Sequence, residues 1–121
     1  MQGVNKTDDV LNLDRLEEAF DDDRAAIANL LGLARETESR YIRALRDGMA
    51  QADILAVARA AHSIKGSALN IGATRVSRVA ADIEDRARGD RWDGIAGLAD
   101  ELDQSYAELT VRIADYARKA G

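Results

Sequence analysis

The 121 residues contain no cysteine and no proline, and histidine occurs once, at position 62. Without cysteine there is no disulfide, no thiolate metal site and no cysteine nucleophile. Such a chain suits a reducing compartment, and the cytoplasm is its expected location. Without proline, and with alanine frequent, helix is favoured. A surplus of basic charge is also missing. Seventeen Lys and Arg stand against 22 Asp and Glu, for a formal net charge of −5. Binding a nucleic-acid backbone through a basic face is therefore not expected, which leaves room only for a local basic patch. No apolar run approaches the roughly 20 residues that a bilayer span needs. The polar, acid-containing start, Met1 to Val10, lacks the apolar core of a signal peptide. Neither nucleic acid nor membrane is an expected partner.

What is present is enough for one folded domain. Apolar residues make up 46 % of the chain, which argues against disorder. Residues 1–9 have little to bury and read as a flexible tail. Residues 10–121 read as a single domain. Asn12 is placed to cap a short helix through Phe20, with Leu13, Leu16 and Phe20 inward. The run Asp21-Asp22-Asp23 lacks the alternating ligands and glycine of a calcium loop. It reads instead as a helix start, where carboxylates cap free N–H groups and suit the dipole.

A long helix is predicted from about Asp23 to Asp47, with Ile27, Leu30, Leu31, Ala34, Tyr41, Ile42 and Leu45 inward and Gly48 ending it. Asp53 should cap a third helix running to about Asn70, and Gly72 breaks the chain again. A fourth helix is predicted over Thr74 to Arg88, with Val76, Val79, Ala80, Ile83 and Ala87 inward and Gly89 as its stop. Asp90 should cap a fifth, with Asp93 in its first turn. Its stripe is Ile95, Leu98, Ala99, Leu102, Tyr106, Leu109, Ile113 and Tyr116. Gly94 and Gly97 weaken its first turns, and Trp92 reads as core or as a lid on one end. No segment alternates with period two, so no sheet is expected. The fold class is all-α: an antiparallel up-down four-helix bundle with a short additional N-terminal helix. A monomer is expected.

The third helix holds the chemistry. Ile54, Val57, Ala58, Ala61, Ile64 and Ala68 share one face. His62 falls about 100° from Ala61 and so sits at the edge of that face. Lys65 and Gly66 follow it at i+3 and i+4 on the same strip. A neutral imidazole is nucleophilic near neutral pH. An ammonium within reach balances the charge of a transferring phosphoryl group. Glycine inside a helix costs roughly 1 kcal/mol relative to alanine. Here it removes bulk where a partner must approach, unless it only permits close helix packing. Arg59, one turn before His62, is placed to hold an acidic partner. Leu55, Ala58, Leu69 and Gly66 lie on or near the same strip and would form an exposed docking patch. The alternative is that the first or fourth helix covers Leu55 and Leu69. Ser67 reads either as a small interior residue or as a hydrogen-bond partner of the imidazole or of a backbone carbonyl.

The stretch His62-Ser63-Ile64-Lys65-Gly66-Ser67-Ala68, followed by Gly72-Ala73, resembles the signature of histidine-containing phosphotransfer (HPt) domains. The resemblance extends from about Leu13 to about Tyr116. It implies a helical bundle of the kind already read from periodicity. It implies that His62, through Nε2, takes a phosphoryl group from an aspartyl phosphate on a receiver domain and passes it to another receiver aspartate. Receiver domains of response regulators or hybrid histidine kinases are the implied partners. The receiver would supply Mg²⁺, and this chain would need no cofactor or metal of its own. Glu84 occupies the position where such domains often place a glutamate or glutamine beside the histidine. A carboxylate there would orient the imidazole; otherwise Glu84 is simply an exposed residue next to Ile83.

Other readings stay open at this level. The local motif would look the same in the phosphoacceptor module of a chemotaxis-type kinase. An ordinary histidine-kinase dimerisation domain fits less well, because an acidic residue usually follows the histidine there and Ser63 does so here. There is no nucleotide-cradling glycine loop and no room for a kinase domain, so no autokinase activity is expected. Whether the chain counts as an enzyme stays open. A non-enzymatic helical adaptor is the plain alternative. A metal-dependent bundle hydrolase is disfavoured by the single histidine.

Overall fold

A computed structural model describes residues 9–120. It contains α1 (Leu13–Ala19), α2 (Arg24–Ala50), α3 (Ile54–Asn70), α4 (Thr74–Arg88) and α5 (Ile95–Ala120), with no strand among the described residues. Three of the starts are fixed by short polar side chains. Asn12, Asp23 and Asp53 accept from the backbone N–H of Arg15, Ala26 and Ala56 at 3.2, 3.1 and 3.1 Å. Each bond satisfies a donor that the helix itself cannot. Asp23 is thus the cap that the acidic run supplies. Asp21 and Asp22 take left-handed conformations in the turn before it, with φ of 51° and 59°. Aspartate tolerates that region better than most residues.

α2 packs on α3, α3 on α4 and α4 on α5, and α5 returns to α2. No diagonal pair packs together, so the four long helices form a closed ring around one core. Connections of three to six residues between neighbours make them antiparallel. Ile27, Leu31, Ile42 and Leu45 of α2 meet Val57, Ala61 and Ile64 of α3, Val79 and Ile83 of α4, and Leu102, Leu109 and Ile113 of α5 in that core. The inward face of α3 is rich in alanine, at Ala58, Ala60, Ala61 and Ala68, and α4 adds Ala80 and Ala87. Small residues at a helix contact shorten the interaxial distance. That close approach is what lets side chains at the α3–α4 edge reach one another.

α1 leans on α2, and its entry is tied to the α3–α4 turn. Asn12 N–H donates to Gly72 O at 3.0 Å, and Arg75 N–H donates to Asp9 O at 2.6 Å. Gly72 has φ of +74°, and a Cβ there would stand 2.9 Å from Asn12 Cβ. Conformation and space both demand glycine at that position. The tail expected over residues 1–9 lies outside the described residues except for Asp9, whose carboxylate is held by Arg75 Nη2 at 2.8 Å.

Several details differ from the sequence expectation. Gly48 does not end α2, which runs on to Ala50. A Cβ on Gly48 would meet Val57 Cγ2 at 3.1 Å and Ala56 Cβ at 3.2 Å, so this glycine serves a close approach to α3. Asp90 does not cap α5. It sits in a turn at φ of 57°, and α5 starts only at Ile95. Arg86 Nη1 donates to Asp93 O at 3.1 Å across the connection. Gly94, at φ of +83°, passes so close to that guanidinium that a Cβ would lie 2.8 Å from Nη1. Phe20 and Tyr41, read as inward, are exposed, and Trp92, read as core or as a lid on one end, is exposed and not core. Leu13, Leu30, Ile54, Leu98 and Tyr106 are only half-buried. Glu38, which went unremarked in the α2 stripe, is fully buried.

Candidate functional site

α3 is covered by α2 on one flank and α4 on the other, which leaves a narrow exposed line. That line is Leu55, Arg59, His62, Gly66 and Leu69. Fourteen residues of helix separate its ends, about 21 Å. Leu55 is 63 % exposed and Leu69 48 %, so neither the first nor the fourth helix covers them. Beyond the surrounding backbone of α3 itself, nothing lies within 4 Å of where a Gly66 Cβ would be, so the space beside that turn is open. Ala58 does not join the patch expected of it. It is 1 % exposed, because it falls on the core side of α3 together with Val57 and Ala61. On the α2 side, exposed Tyr41 and Leu33 border a shallow cleft of about 390 Å³ shared with Ser63 and Ser67.

His62 stands at the centre of the line with 62 % of its side chain exposed. Its Nδ1 lies 2.9 Å from Glu84 Oε2 on α4. The Glu84 side chain is only 7 % exposed, so it is a buried carboxylate at the edge of the core and not a free surface acid. Lys65 Nζ lies 2.8 Å from the other oxygen, Oε1. Arg88 Nε donates to Oε2 at 2.8 Å, sharing that oxygen with His62. Burial alone would push the Glu84 carboxyl up. The hydrogen bonds from Lys65, Arg88 and His62 outweigh it and hold the group down at about 2. Glu84 is therefore ionised across the physiological range.

An ionised carboxylate only accepts hydrogen bonds. Nδ1 must then carry the hydrogen that faces Glu84, so in the neutral imidazole Nε2 holds the free lone pair. The result is a largely exposed imidazole beside a carboxylate that an ammonium and a guanidinium also hold, and its second nitrogen can act as a nucleophile when the ring is neutral. Among the described residues, no group of three or more His, Cys, Asp or Glu side chains is placed to hold a metal ion.

Ser67 bonds neither the imidazole nor a backbone carbonyl. Its Oγ donates to Glu38 Oε2 at 3.3 Å, across the α2–α3 interface. Glu38 Oε1 is buried with no partner. Burial raises the Glu38 carboxyl to about 7 against the smaller opposing effect of the Ser67 hydroxyl. Sequence reasoning missed both Arg88 and Glu38. Arg88 lies at i+4 from Glu84, a spacing that would have flagged it. Glu38 lies at i+4 from Ala34 and i−4 from Ile42, inside the α2 stripe.

A family model described as the Hpt domain matches residues 13–109. The chain belongs to the Hpt domain family. The match runs from α1 into α5 and encloses His62, Lys65, Gly66, Glu84 and Arg88. No curated protein and no solved structure matches the chain. Hpt domains carry out histidine phosphotransfer in phosphorelays and interact with receiver domains. No helix among the described residues of this Hpt domain is long and apolar enough to cross a membrane.

Proposed function

We propose that His62 is the phosphoacceptor of this Hpt domain, taking a phosphoryl group from an aspartyl phosphate on one receiver domain and giving it to an aspartate on another. The observation that carries this reading is the 2.9 Å contact between His62 Nδ1 and the buried Glu84 carboxylate. It orients the one histidine of the chain with Nε2 outward. In the transfer, the Nε2 lone pair forms the N–P bond as the P–O bond to the receiver aspartate breaks. The electron pair of the broken bond leaves with the aspartate oxygen. Nδ1 keeps its hydrogen, so the ring gains a positive charge, which the adjacent Glu84 carboxylate balances. The return transfer runs the same steps backwards.

Lys65 neutralises charge on the phosphoryl group without exchanging a proton. Its ammonium has three donors and spends one on Glu84 Oε1, so two remain for phosphoryl oxygens. Mg²⁺ belongs to the receiver. Leu55 and Leu69, at the two ends of the exposed line, and Tyr41, beside Ser63, supply apolar docking surface. Arg59 meets acidic residues around the receiver's aspartate, and Gly66 keeps the approach to Nε2 clear.

The test is incubation with a phosphorylated cognate receiver, followed by site mapping at alkaline pH, where phosphohistidine survives. Wild type should carry the phosphoryl group on His62. His62→Gln should fold normally and accept none. Acid-labile labelling of the His62→Gln protein would remove the assignment.

A further inference from the structure

Arg88 is the last residue of α4, and its side chain is 55 % exposed. Taken alone, an i,i+4 Glu–Arg pair at a helix end is an ordinary surface contact worth a few tenths of a kcal/mol. Two features set this one apart. Its partner, Glu84, is buried, with 7 % of its side chain exposed. The oxygen it binds, Oε2, is the one that faces His62 Nδ1. Lys65 occupies the opposite oxygen.

The carboxylate is therefore held at both ends by cations, with the imidazole on the end that Arg88 holds. Glu84 carries one negative charge, and Lys65 and Arg88 carry two positive ones. With a neutral imidazole the cluster has one positive charge in excess. Remove Arg88 and that excess disappears, while Glu84 Oε2 loses one of its two donors and keeps only His62 Nδ1. Lys65 would then be the only cation compensating a buried carboxylate, and less of its charge would be available to an arriving phosphoryl group.

We propose that Arg88 is a positioning residue for phosphotransfer, acting through Glu84: it anchors Oε2 against His62 Nδ1 and leaves Lys65 free to serve the phosphoryl group. This rests on the reading of His62 as phosphoacceptor. Arg88 does not touch the phosphoryl group, and its effect should travel through the carboxylate alone.

The experiment measures transfer from a phosphorylated cognate receiver over a range of receiver concentrations, for Arg88→Gln, Arg88→Lys, Glu84→Gln and the Arg88→Gln, Glu84→Gln pair. A thermal melt of each accompanies it. Arg88→Gln should lower the saturating rate on the order of threefold to tenfold, the scale of one charge-assisted hydrogen bond at a half-exposed site. Its KM should stay within about twofold of wild type, since docking is untouched. Arg88→Lys should recover much of the rate, because an ammonium can also donate to Oε2. In the Glu84→Gln background, Arg88→Gln should add little further loss.

A raised KM with an unchanged saturating rate would overturn the proposal and make Arg88 a docking contact. So would an equal loss in the Glu84→Gln background, or no loss at all. His62→Gln in the same assay keeps the two claims separate. If that variant still accepts the phosphoryl group, the phosphoacceptor reading fails. If it accepts none while Arg88→Gln behaves as wild type, only the role of Arg88 fails.

Discussion

Two glutamates of this bundle are almost equally hidden from water, yet burial leaves them in opposite states. Glu84, on α4, is met by Lys65, Arg88 and His62, and its carboxyl is held at about 2. Glu38, on α2, is met by the Ser67 hydroxyl alone, and its carboxyl is pushed up to about 7. The desolvation cost is similar in kind, and the partners decide the outcome. Glu84 lies at the α3–α4 edge, where long basic side chains reach it from solvent. Glu38 lies where α2 faces α3, and no cation bonds it there. The first arrangement keeps a fixed negative charge beside a histidine. The second keeps a carboxyl that titrates near neutral pH inside the core.

The largest expected effect lies on the Glu38 side. Its proton is held more tightly in the folded chain than in the unfolded one, where the ordinary value is 4.5. The folded state therefore binds more protons between about pH 4.5 and pH 7, and stability falls as pH rises through that window. The full cost of ionising the buried group, reached above pH 7, is about 3 kcal/mol. Glu38→Gln stays neutral and should remove that loss. Denaturant melts at pH 5 and pH 8 should show the variant gaining on wild type only at the higher pH. Parallel pH profiles would mean that the Glu38 charge is compensated in the folded protein, and would contradict a carboxyl raised by burial.

The Glu84 effect has the opposite sign and is smaller. Its folded value lies below the unfolded one, so it contributes stability above about pH 4.5 that is lost as pH falls towards 2. Its partners are partly exposed and screened by solvent, which cuts the contribution to about 1–2 kcal/mol. Glu84→Gln should flatten the acid limb of the stability curve. It should also slow phosphoryl acceptance on the order of tenfold, since the imidazole loses the charge that orients it. A flattened acid limb with normal transfer would separate Glu84 from the chemistry.

The smallest effect concerns the single bond that Glu38 has. Ser67→Ala removes the Oγ donor 3.3 Å from Glu38 Oε2. A loss of about 1 kcal/mol is expected above pH 7, where the carboxylate needs the bond. In Glu38→Gln the same substitution should cost less. An equal cost in both backgrounds would show that Ser67 matters to packing and not to the carboxyl.

The contrast between the two carboxyls also marks the boundary of what the sequence shows. Local signals were readable. Asn12, Asp23 and Asp53 announce helix starts by the chemistry of their own side chains, and the inward set of α4 follows from its period. The placing of Lys65 and Gly66 one turn from His62 on the same helix also needs only spacing. Contacts between helices were harder to see. Gly48 reads as a helix end, because nothing local says that Val57 will press against it. Asp90 reads as a cap, because the Arg86 bond to Asp93 O that shapes the α4–α5 connection is not a local pattern. Ala58 lies at i−4 from His62 and at i−3 from Ala61, so spacing assigns it to the patch and to the core face alike, and only the packing of α3 decides for the core. Glu38 reads as solvent-facing because it is charged, although its spacing from Ala34 and Ile42 keeps it inside the stripe.

The most direct measurement uses the fact that this chain has a single histidine. Nitrogen-15 spectra of the imidazole, taken before and after charging by a phosphorylated receiver, report one ring without ambiguity. In the resting protein, with the ring neutral, hydrogen on Nδ1 and a free Nε2 are expected. After charging, phosphorus coupling is expected on Nε2, with the Nδ1 hydrogen retained against Glu84. Phosphorus coupling on Nδ1, or a ring unchanged in a protein that has accepted the phosphoryl group, would contradict phosphorylation of His62 at Nε2.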